Sequence, residues 1–228
     1  VFNLFENTII YTKRTLKNGV SRHGIVGLID LEDYSYEKGA STPIRATEQT
    51  VIERIPPRVA IRRDASIELP HVMLLIDDEK RTVIEPISEN TDSYEKIYDF
   101  ELMQGGGHIE GYFLDENTQK AVQDALESLL TGKDNEMLFA VGDGNHSLAA
   151  AKHLYEQTKA KLGEAVAADH PARYALCEIV SIYDDAIEFE PIHRILKNVD
   201  VSNVVASLSK IAILEQNSKT SSCPYTTV

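Results

Sequence analysis

Residues 138–147 read Leu-Phe-Ala-Val-Gly-Asp-Gly-Asn-His-Ser, and residues 148–162 continue as Leu-Ala-Ala-Ala-Lys-His-Leu-Tyr-Glu-Gln-Thr-Lys-Ala-Lys-Leu. The apolar start predicts a buried strand, the two glycines predict a tight turn, and the apolar spacing that follows predicts a helix. A strand that turns into a helix N-terminus forms an anion site, because unpaired backbone N–H groups and the positive end of the helix dipole converge there. We therefore expect the fold and the chemistry to be organised around this turn.

The polar residues of the turn have two interpretations. In the functional one, Asp143 holds a cation or accepts a proton, while Asn145, His146 and Ser147 offer short polar groups to a phosphate. In the structural one, Asp-Gly-Asn is ordinary turn sequence, and Asn145 or Ser147 caps the helix. The spacing is not that of a Walker phosphate loop, and the glycine run at 105–107 lacks the Rossmann spacing.

The composition is that of an acidic globular chain. Lys and Arg total 23 against 36 Asp and Glu, which gives a net charge of −13 over 228 residues. Nucleic acids and anionic membranes bind clustered Lys and Arg, so we expect neither as a partner, whereas a small anionic ligand needs only local positive potential. Cys177 and Cys223 form no CxxC pair and indicate neither a disulfide framework nor a thiolate zinc site.

The element pattern predicts the fold class and the domain organisation. No apolar run approaches the about 20 residues that cross a bilayer and no signal peptide is visible, so we expect a cytoplasmic protein. Strand and helix patterns are interspersed without regular βα alternation, which predicts an α+β domain with a mixed β-sheet and flanking helices. We expect this main domain to span residues 1–196 of a longer chain and residues 197–228 to be a partly loose extension. The sequence does not decide the oligomeric state.

Local patterns predict the remaining elements. The Asn-Gly pair at 18–19 is the strongest short hairpin signal. Residues 35–50 read as a polar connection. Strands are predicted at 7–13, 21–31, 71–77, 82–87, 98–103, 174–183 and 211–214, and helices at 117–130 and 201–209.

The segment 51–67 carries four arginines about one helical turn apart, at positions 54, 58, 62 and 63. One interpretation is a solvated surface helix. The other is a local positive patch in an acidic protein, which would suit phosphate. Pro56-Pro57 is expected to interrupt any continuous helix here.

Several segments together resemble a widespread bacterial and archaeal family catalogued as a domain of unknown function. Its hallmark is a strand followed by Asp-Gly-His-His-Arg and an alanine-rich helix, which residues 141–151 resemble. Residues 24–34 are similar to its "GLVGALDLEDY"-like stretch, residues 45–50 to its Arg-Pro-His-Glu-like segment, and residues 191–194 to its Pro-Thr-His-Arg. The resemblance runs from about residue 20 to residue 196.

That family resembles the ParB and sulfiredoxin-like superfamily, whose branches handle nucleotide phosphates at the same strand–turn–helix. Some members resemble free-serine kinases, which move a phosphoryl group from ADP, ATP or pyrophosphate to the serine hydroxyl. The resemblance therefore implies phosphoryl transfer, with a small-molecule substrate and a phosphoryl donor as partners and Mg²⁺ as the expected cofactor. Such chemistry depends on positioning and on charge stabilisation.

The resemblance also implies roles for individual residues. Glu48 would be the general base that takes the proton of the substrate hydroxyl, and Asp143 would bind the metal or orient the reacting groups. Phosphate would be bound by the remaining site residues: Gly144, Asn145, His146, Ser147, Arg45, His193 and Arg194. From the residues alone, the His193-Arg194 pair could instead form a salt-bridged pair at the rim of the site.

The chain departs from the family motif at two positions. Asn145 replaces the first histidine and Ser147 replaces the arginine, which removes a bidentate phosphate partner. Lys152 or one of the arginines at 54–63 is a candidate replacement.

Three other functions stay open beside the kinase. They are a non-catalytic nucleotide- or phosphate-binding module, a ParB-like switch, and a metal-dependent hydrolase with Asp143, His108 and His146 as ligands.

Overall fold

The computed structural model describes residues 6, 8–67, 69, 72–130, 137–188 and 196–211. The chain forms two compact units, Val1–Glu188 and Phe189–Val228. The predicted domain end at residue 196 stays a prediction, because residues 189–195 lie outside the described part of the chain. His193 and Arg194, two predicted phosphate ligands, also fall there.

The first unit contains a nine-stranded mixed sheet. Its strands are β1 (Ile10–Thr15), β2 (Ser21–Asp30), β3 (Tyr34–Ser35), β4 (Ile44–Ala46), β5 (Met73–Ile76), β6 (Glu95–Glu101), β7 (His108–Phe113), β8 (Phe139–Asp143) and β9 (Tyr174–Ser181). The strand order is β3-β4-β8-β5-β9-β2-β1-β7-β6. Pairing is parallel for β3–β4, β4–β8 and β5–β9, and antiparallel for the other neighbours.

The described residues form six α-helices. They are α1 (Ile55–Arg63), α2 (Glu85–Ser88), α3 (Glu116–Leu129), α4 (Asn145–Leu162), α5 (Glu164–Ala167) and α6 (Val201–Leu208). The predicted mixed sheet with flanking helices is confirmed. Helix α6 belongs to the second unit, where Asp200 caps it by accepting a hydrogen bond from the Asn203 N–H. No helix in the described part of the chain is long and apolar enough to span a membrane.

Local sequence explains the antiparallel half of the sheet. The Asn-Gly turn places Gly19 at φ 82°, a conformation that glycine adopts without strain, and joins β1 to β2 as predicted. Helix α3 is capped by Asp115, whose side chain accepts the Thr118 N–H at 2.8 Å, and the helix packs its predicted apolar face, including Val122, towards the core.

The main core lies between the sheet and the helices. Its largest fully buried side chains are Tyr11, Ile25, Leu31, Tyr34, Val72, Leu74, Ile76, Val83, Ile84, Leu114, Leu148 and Tyr155. A second cluster joins α1 to α4, with Ile55 and Val59 packed against Ala149 and Ala150. The alanines let the two helices approach closely, which holds the arginine-bearing helix against the helix that starts at the turn.

Three predictions about local structure were wrong. Residues 35–50 are not a continuous connection, because they include the end of β3 and all of β4, which pairs in parallel with β3 and with β8. Residues 82–87 do not form a strand, because they lead into α2. Pro56 and Pro57 do not interrupt a helix, because they occupy the first turn of α1, where a missing N–H costs nothing. The predicted strand at 211–214 falls almost wholly outside the described residues.

Candidate functional site

The turn predicted from the sequence is formed as a strand–glycine–helix junction. Strand β8 ends at Asp143, Gly144 adopts φ 85° and ψ 19°, and α4 begins at Asn145. The helix has Gly144 as its N-cap and no side-chain capping bond, so neither Asn145 nor Ser147 caps it. The first intrahelical bond runs from the Leu148 N–H to the Gly144 carbonyl at 2.9 Å. The N–H groups of residues 145–147 therefore precede the helical ladder, which is the arrangement that binds anions.

Asp143 is exposed at the end of β8. Its Oδ1 accepts the N–H of Gly144 at 2.7 Å. This bond fixes the carboxylate beside the helix N-terminus while leaving the side chain accessible to solvent. An exposed carboxylate suits Mg²⁺, which usually keeps several water ligands and takes one or two carboxylates together with substrate phosphates.

Asn145 connects the turn to the segment after β4. It is only 5 % exposed, and its Oδ1 accepts the Thr47 N–H at 3.2 Å. Its Nδ2 donates to the Val141 carbonyl at 3.3 Å, and the Thr47 hydroxyl donates to the same carbonyl at 2.6 Å. The Asn145 amide is thus engaged in positioning residue 47. A phosphate contact from Asn145 would come from its backbone N–H.

The same connection brings Glu48 to the turn. Strand β4 pairs in parallel with β8, with Ala46 opposite Val141, so the residues that follow β4 lie beside the turn. The Nδ1 of His146 lies 3.5 Å from Glu48 Oε1. His146 Nε2 accepts the Val51 N–H at 3.2 Å, so in the neutral imidazole the proton sits on Nδ1, facing Glu48.

A cavity of about 660 Å³ lies next to this pair. It is lined by residues 36–40, 45–50 and 52, which include Glu48, Arg45 and Lys38. Arg45 is held by a hydrogen bond of 2.6 Å from its Nε to the Thr42 carbonyl. Glu48 lines the cavity and also contacts His146, so one carboxylate links the turn to a space large enough for a small molecule.

Thr50 is a further residue of this cavity that the sequence did not single out. It is 6 % exposed, and its hydroxyl is buried without a hydrogen-bond partner in the described part of the chain. An unpaired buried hydroxyl costs free energy, so a polar group in the cavity that bonded to it would gain affinity. No local pattern marks such a residue, because the lack of a partner follows from packing.

Lys152, one predicted additional phosphate ligand, is engaged by carboxylates in the described part of the chain. Lys152 is paired with Glu156 at 2.8 Å and lies 3.9 Å from Glu32, so its ammonium group already has carboxylate partners. Ser147 is partly buried in the first turn of α4. Arg45 is the predicted phosphate ligand that the structure places on the cavity.

His108 does not join the turn. It lies on β7, which is five strands from β8 in the sheet order and hence roughly 24 Å away. Its two ring nitrogens contact Glu101 at 2.8 Å and Asp99 at 2.7 Å. The metal-ligand set of Asp143, His108 and His146 is therefore not assembled.

Residues 5–225 match the model of the family described as "Protein of unknown function (DUF1015)". The chain belongs to the DUF1015 family. The predicted membership of a family of unknown function is thereby confirmed. No curated protein and no solved structure matches the chain.

Proposed function

We propose that this DUF1015 protein transfers a phosphoryl group from a nucleotide or pyrophosphate to the hydroxyl of a small molecule. The observation that carries the proposal is the 3.5 Å approach of Glu48 to His146 at the first turn of α4. It brings a candidate general base to an uncapped helix N-terminus, although about a hundred residues separate the two in sequence. The resemblance to ParB-like and sulfiredoxin-like phosphate sites is part of this proposal.

The donor phosphates would bind at the turn. The N–H groups of residues 145–147 precede the helical ladder, and the dipole of an 18-residue helix adds positive potential at the same place. Gly144 has no side chain to block approach to this backbone. His146 supplies a ring N–H beside Glu48, and Arg45 supplies a guanidinium on the cavity wall.

The acceptor would occupy the cavity beside Glu48. Its hydroxyl oxygen attacks the terminal phosphorus, the bond from that phosphorus to the bridging oxygen breaks, and Glu48 takes the hydroxyl proton. The products are a phosphate monoester and the donor shortened by one phosphoryl group. The Thr50 hydroxyl would bond a polar group of the acceptor, and L-serine is the first acceptor to test.

A magnesium ion would be held by Asp143 and by the donor phosphates. Mg²⁺ supplies charge neutralisation on the transferring group when it is bound. Asp143 fits this role because it is exposed and is oriented by the Gly144 N–H at 2.7 Å. No other described carboxylate is assigned to this ion.

The test combines donor binding with transfer. Thermal shifts with ADP, ATP and pyrophosphate, each with Mg²⁺, report donor binding, because a ligand that binds only the folded state raises its stability. Transfer to L-serine and to other small hydroxy compounds is followed by ³¹P NMR. Glu48→Gln is expected to retain donor binding and to lose about 10²-fold or more in transfer rate. Glu53→Gln, an exposed glutamate outside the cavity lining, is the matched control and should transfer normally.

The outcomes separate the candidate functions. Absence of binding for every donor with Mg²⁺ would overturn both the kinase and the phosphate site. Donor binding that His146→Ala weakens, with no transfer to any acceptor, would favour the non-catalytic binding module. Equal transfer by wild type and Glu48→Gln would remove Glu48 from the mechanism.

A further inference from the structure

A second groove, distinct from the turn, lies on the α1–α4 side of the first unit. It has a volume of about 430 Å³ and runs between the end of α1, the second half of α4 and the residues that follow α5. Its polar lining includes Arg62, Arg63, Lys161 and His170. We call it the basic groove. Thr158, on its wall, is twelve residues from His146 along α4, which corresponds to roughly 18 Å.

The described residues that line the basic groove offer hydrogen-bond donors and no carboxylates. Among the described residues that line it, none is Asp or Glu, in a chain whose net charge is −13. The Arg62 guanidinium donates to the Tyr174 carbonyl at 3.4 Å, and the Arg63 guanidinium donates to Gln157 Oε1 at 3.3 Å. The described lining is therefore richer in cationic side chains than the acidic chain as a whole.

His170 adds a fourth donor. Its Nδ1 accepts the N–H of Ala172 at 3.1 Å, so the proton of the neutral ring sits on Nε2. The remaining wall is apolar and includes Leu154, Leu162 and Pro171. A ligand of this groove thus needs an anionic group for the donors and a small apolar body for the wall.

We propose that the basic groove binds a small organic phosphate. Phosphate suits the lining because arginine binds its oxygens through charge-assisted hydrogen bonds and lysine adds a point charge. The volume lies in the range of small-molecule sites, and the apolar wall would contact the organic part. This site is independent of the turn and of the kinase proposed there.

Arg62, Arg63 and Lys161 also occupy last turns of helices, where cations stabilise the helix dipole. That role alone would explain their presence without any ligand. It makes a different prediction, because removing these cations would lower stability and leave phosphate binding unchanged. His170 is in no helical last turn, and its Nδ1 accepts the Ala172 N–H at the 3₁₀ turn that follows it.

The experiment uses isothermal titration calorimetry of the full chain with phenyl phosphate, inorganic phosphate and phenol. Arg63→Ala/Lys161→Ala is the groove variant, and Arg58→Ala/Lys120→Ala is a control with the same charge change at exposed positions outside the groove. We expect wild type and control to bind phenyl phosphate equally and the groove variant to bind about tenfold or more weakly. The His170 ring resonances should shift on binding, phenol should not bind, and inorganic phosphate should bind more weakly than phenyl phosphate.

Several results would overturn the proposal. The first is the absence of any binding heat when phenyl phosphate is titrated at millimolar concentration into the folded protein. The second is equal affinity of the groove variant and the control variant for phenyl phosphate. The third is loss of binding in His146→Ala while the groove variant binds like wild type. The last result would assign the phosphate to the turn. An oligoglutamate peptide could also bind more tightly than phenyl phosphate and depend in the same way on Arg63 and Lys161. That result would show that the groove binds an acidic protein segment and not a small organic phosphate.

Discussion

Asn145 shows how one buried side chain organises the candidate site. Its amide accepts the Thr47 N–H and donates to the Val141 carbonyl. This amide therefore connects the strand before the turn with the segment that carries Glu48. Asparagine suits position 145 because its carboxamide can accept the Thr47 N–H and donate to the Val141 carbonyl at the same time.

Asn145→Ala should destabilise the protein and loosen Glu48. The substitution removes hydrogen bonds of a buried amide, among them one from the Thr47 N–H and one to the buried Val141 carbonyl, which costs about 1–3 kcal/mol. We expect a lower urea midpoint with an unchanged m-value. Asn117→Ala, an exposed asparagine in the first turn of α3, serves as the control and should change stability by less than about 0.5 kcal/mol. A midpoint equal to that of wild type would mean that Thr47 is held by other contacts.

Glu48 and Thr50 illustrate what residue patterns can and cannot identify. Glu48 was selected through the family resemblance, and the structure places it 3.5 Å from His146. Thr50 was quoted only as the end of the same segment, although its hydroxyl is buried and unpaired among the described residues. The presence or absence of a partner depends on distant packing, which the sequence around residue 50 does not encode.

At the scale of elements, an aromatic ring of β6, that of Tyr98, packs on Gly111 of the neighbouring strand β7. Tyr98 is opposite Gly111, next to a register shift between Lys96 and Tyr98. A Cβ built on Gly111 would lie 2.1 Å from the Tyr98 Cζ, so the ring covers the space where a side chain would stand. Burial also raises the pKa of the Tyr98 hydroxyl. Position 111 therefore requires glycine because the Tyr98 ring occupies the space of a side chain, and not because of a turn conformation.

Gly111→Ala should destabilise the hairpin only while Tyr98 is present. In the wild-type background the methyl group displaces the ring, and we expect a loss of about 1–3 kcal/mol. In a Tyr98→Ala background the same substitution should be neutral or slightly stabilising, because alanine is better than glycine within a strand. The double-mutant cycle, measured by urea denaturation, should give a coupling of about 1–2 kcal/mol. Equal effects in both backgrounds would show that the ring moves aside freely.

The start of helix α1 shows that the effect of proline depends on its position in a helix. The sequence Pro56-Pro57 was expected to break a helix, and it begins one, because proline suits the first helical turn and its missing N–H has no intrahelical partner there. The helix then carries Arg62 and Arg63 to the basic groove. Of the four arginines predicted as one patch, Arg62 and Arg63 line the groove, whereas Arg54 and Arg58 are exposed outside it.

At the scale of the whole molecule, β9 joins the two halves of the sheet. It pairs with β2 in antiparallel fashion and with β5 in parallel fashion. Cys177 lies in the middle of this strand, is 2 % exposed, and is opposite Gly27. Burial raises the pKa of its thiol to about 12, with a small opposing effect of Arg62. The reactivity of the Cys177 thiol therefore indicates whether the centre of the sheet is folded.

Cys177 should resist alkylation until the first unit unfolds. Only the thiolate reacts, and a pKa of about 12 leaves very little thiolate at pH 8, so native labelling should be slower than that of the unfolded chain by about 10³-fold or more. The experiment uses Cys223→Ser, iodoacetamide and mass spectrometry across a urea series. Labelling should rise in parallel with the loss of circular dichroism. Rapid labelling without urea would contradict a buried β9.

The sequence by itself determined the features that depend on neighbours along the chain. The β1–β2 hairpin, α3, and the junction of β8, Gly144 and α4 all follow from local periodicity and turn chemistry. The acidic composition and the membership of the DUF1015 family are likewise properties of the chain as written. These features were predicted correctly because their hydrogen bonds and apolar spacing lie within a few residues.

Only the tertiary structure decided what lies beside the turn. Strand β4 is three residues long and has no strand pattern of its own, and it exists because Ile44 pairs with Phe139 of β8. That parallel pairing, with the Asn145 amide, brings Glu48 to His146 and forms the wall of the cavity. The basic groove likewise requires α1 to pack against α4 through Val59 and Ala149. The physical reason is that such pairing and packing join residues about a hundred positions apart, where no local period records the contact.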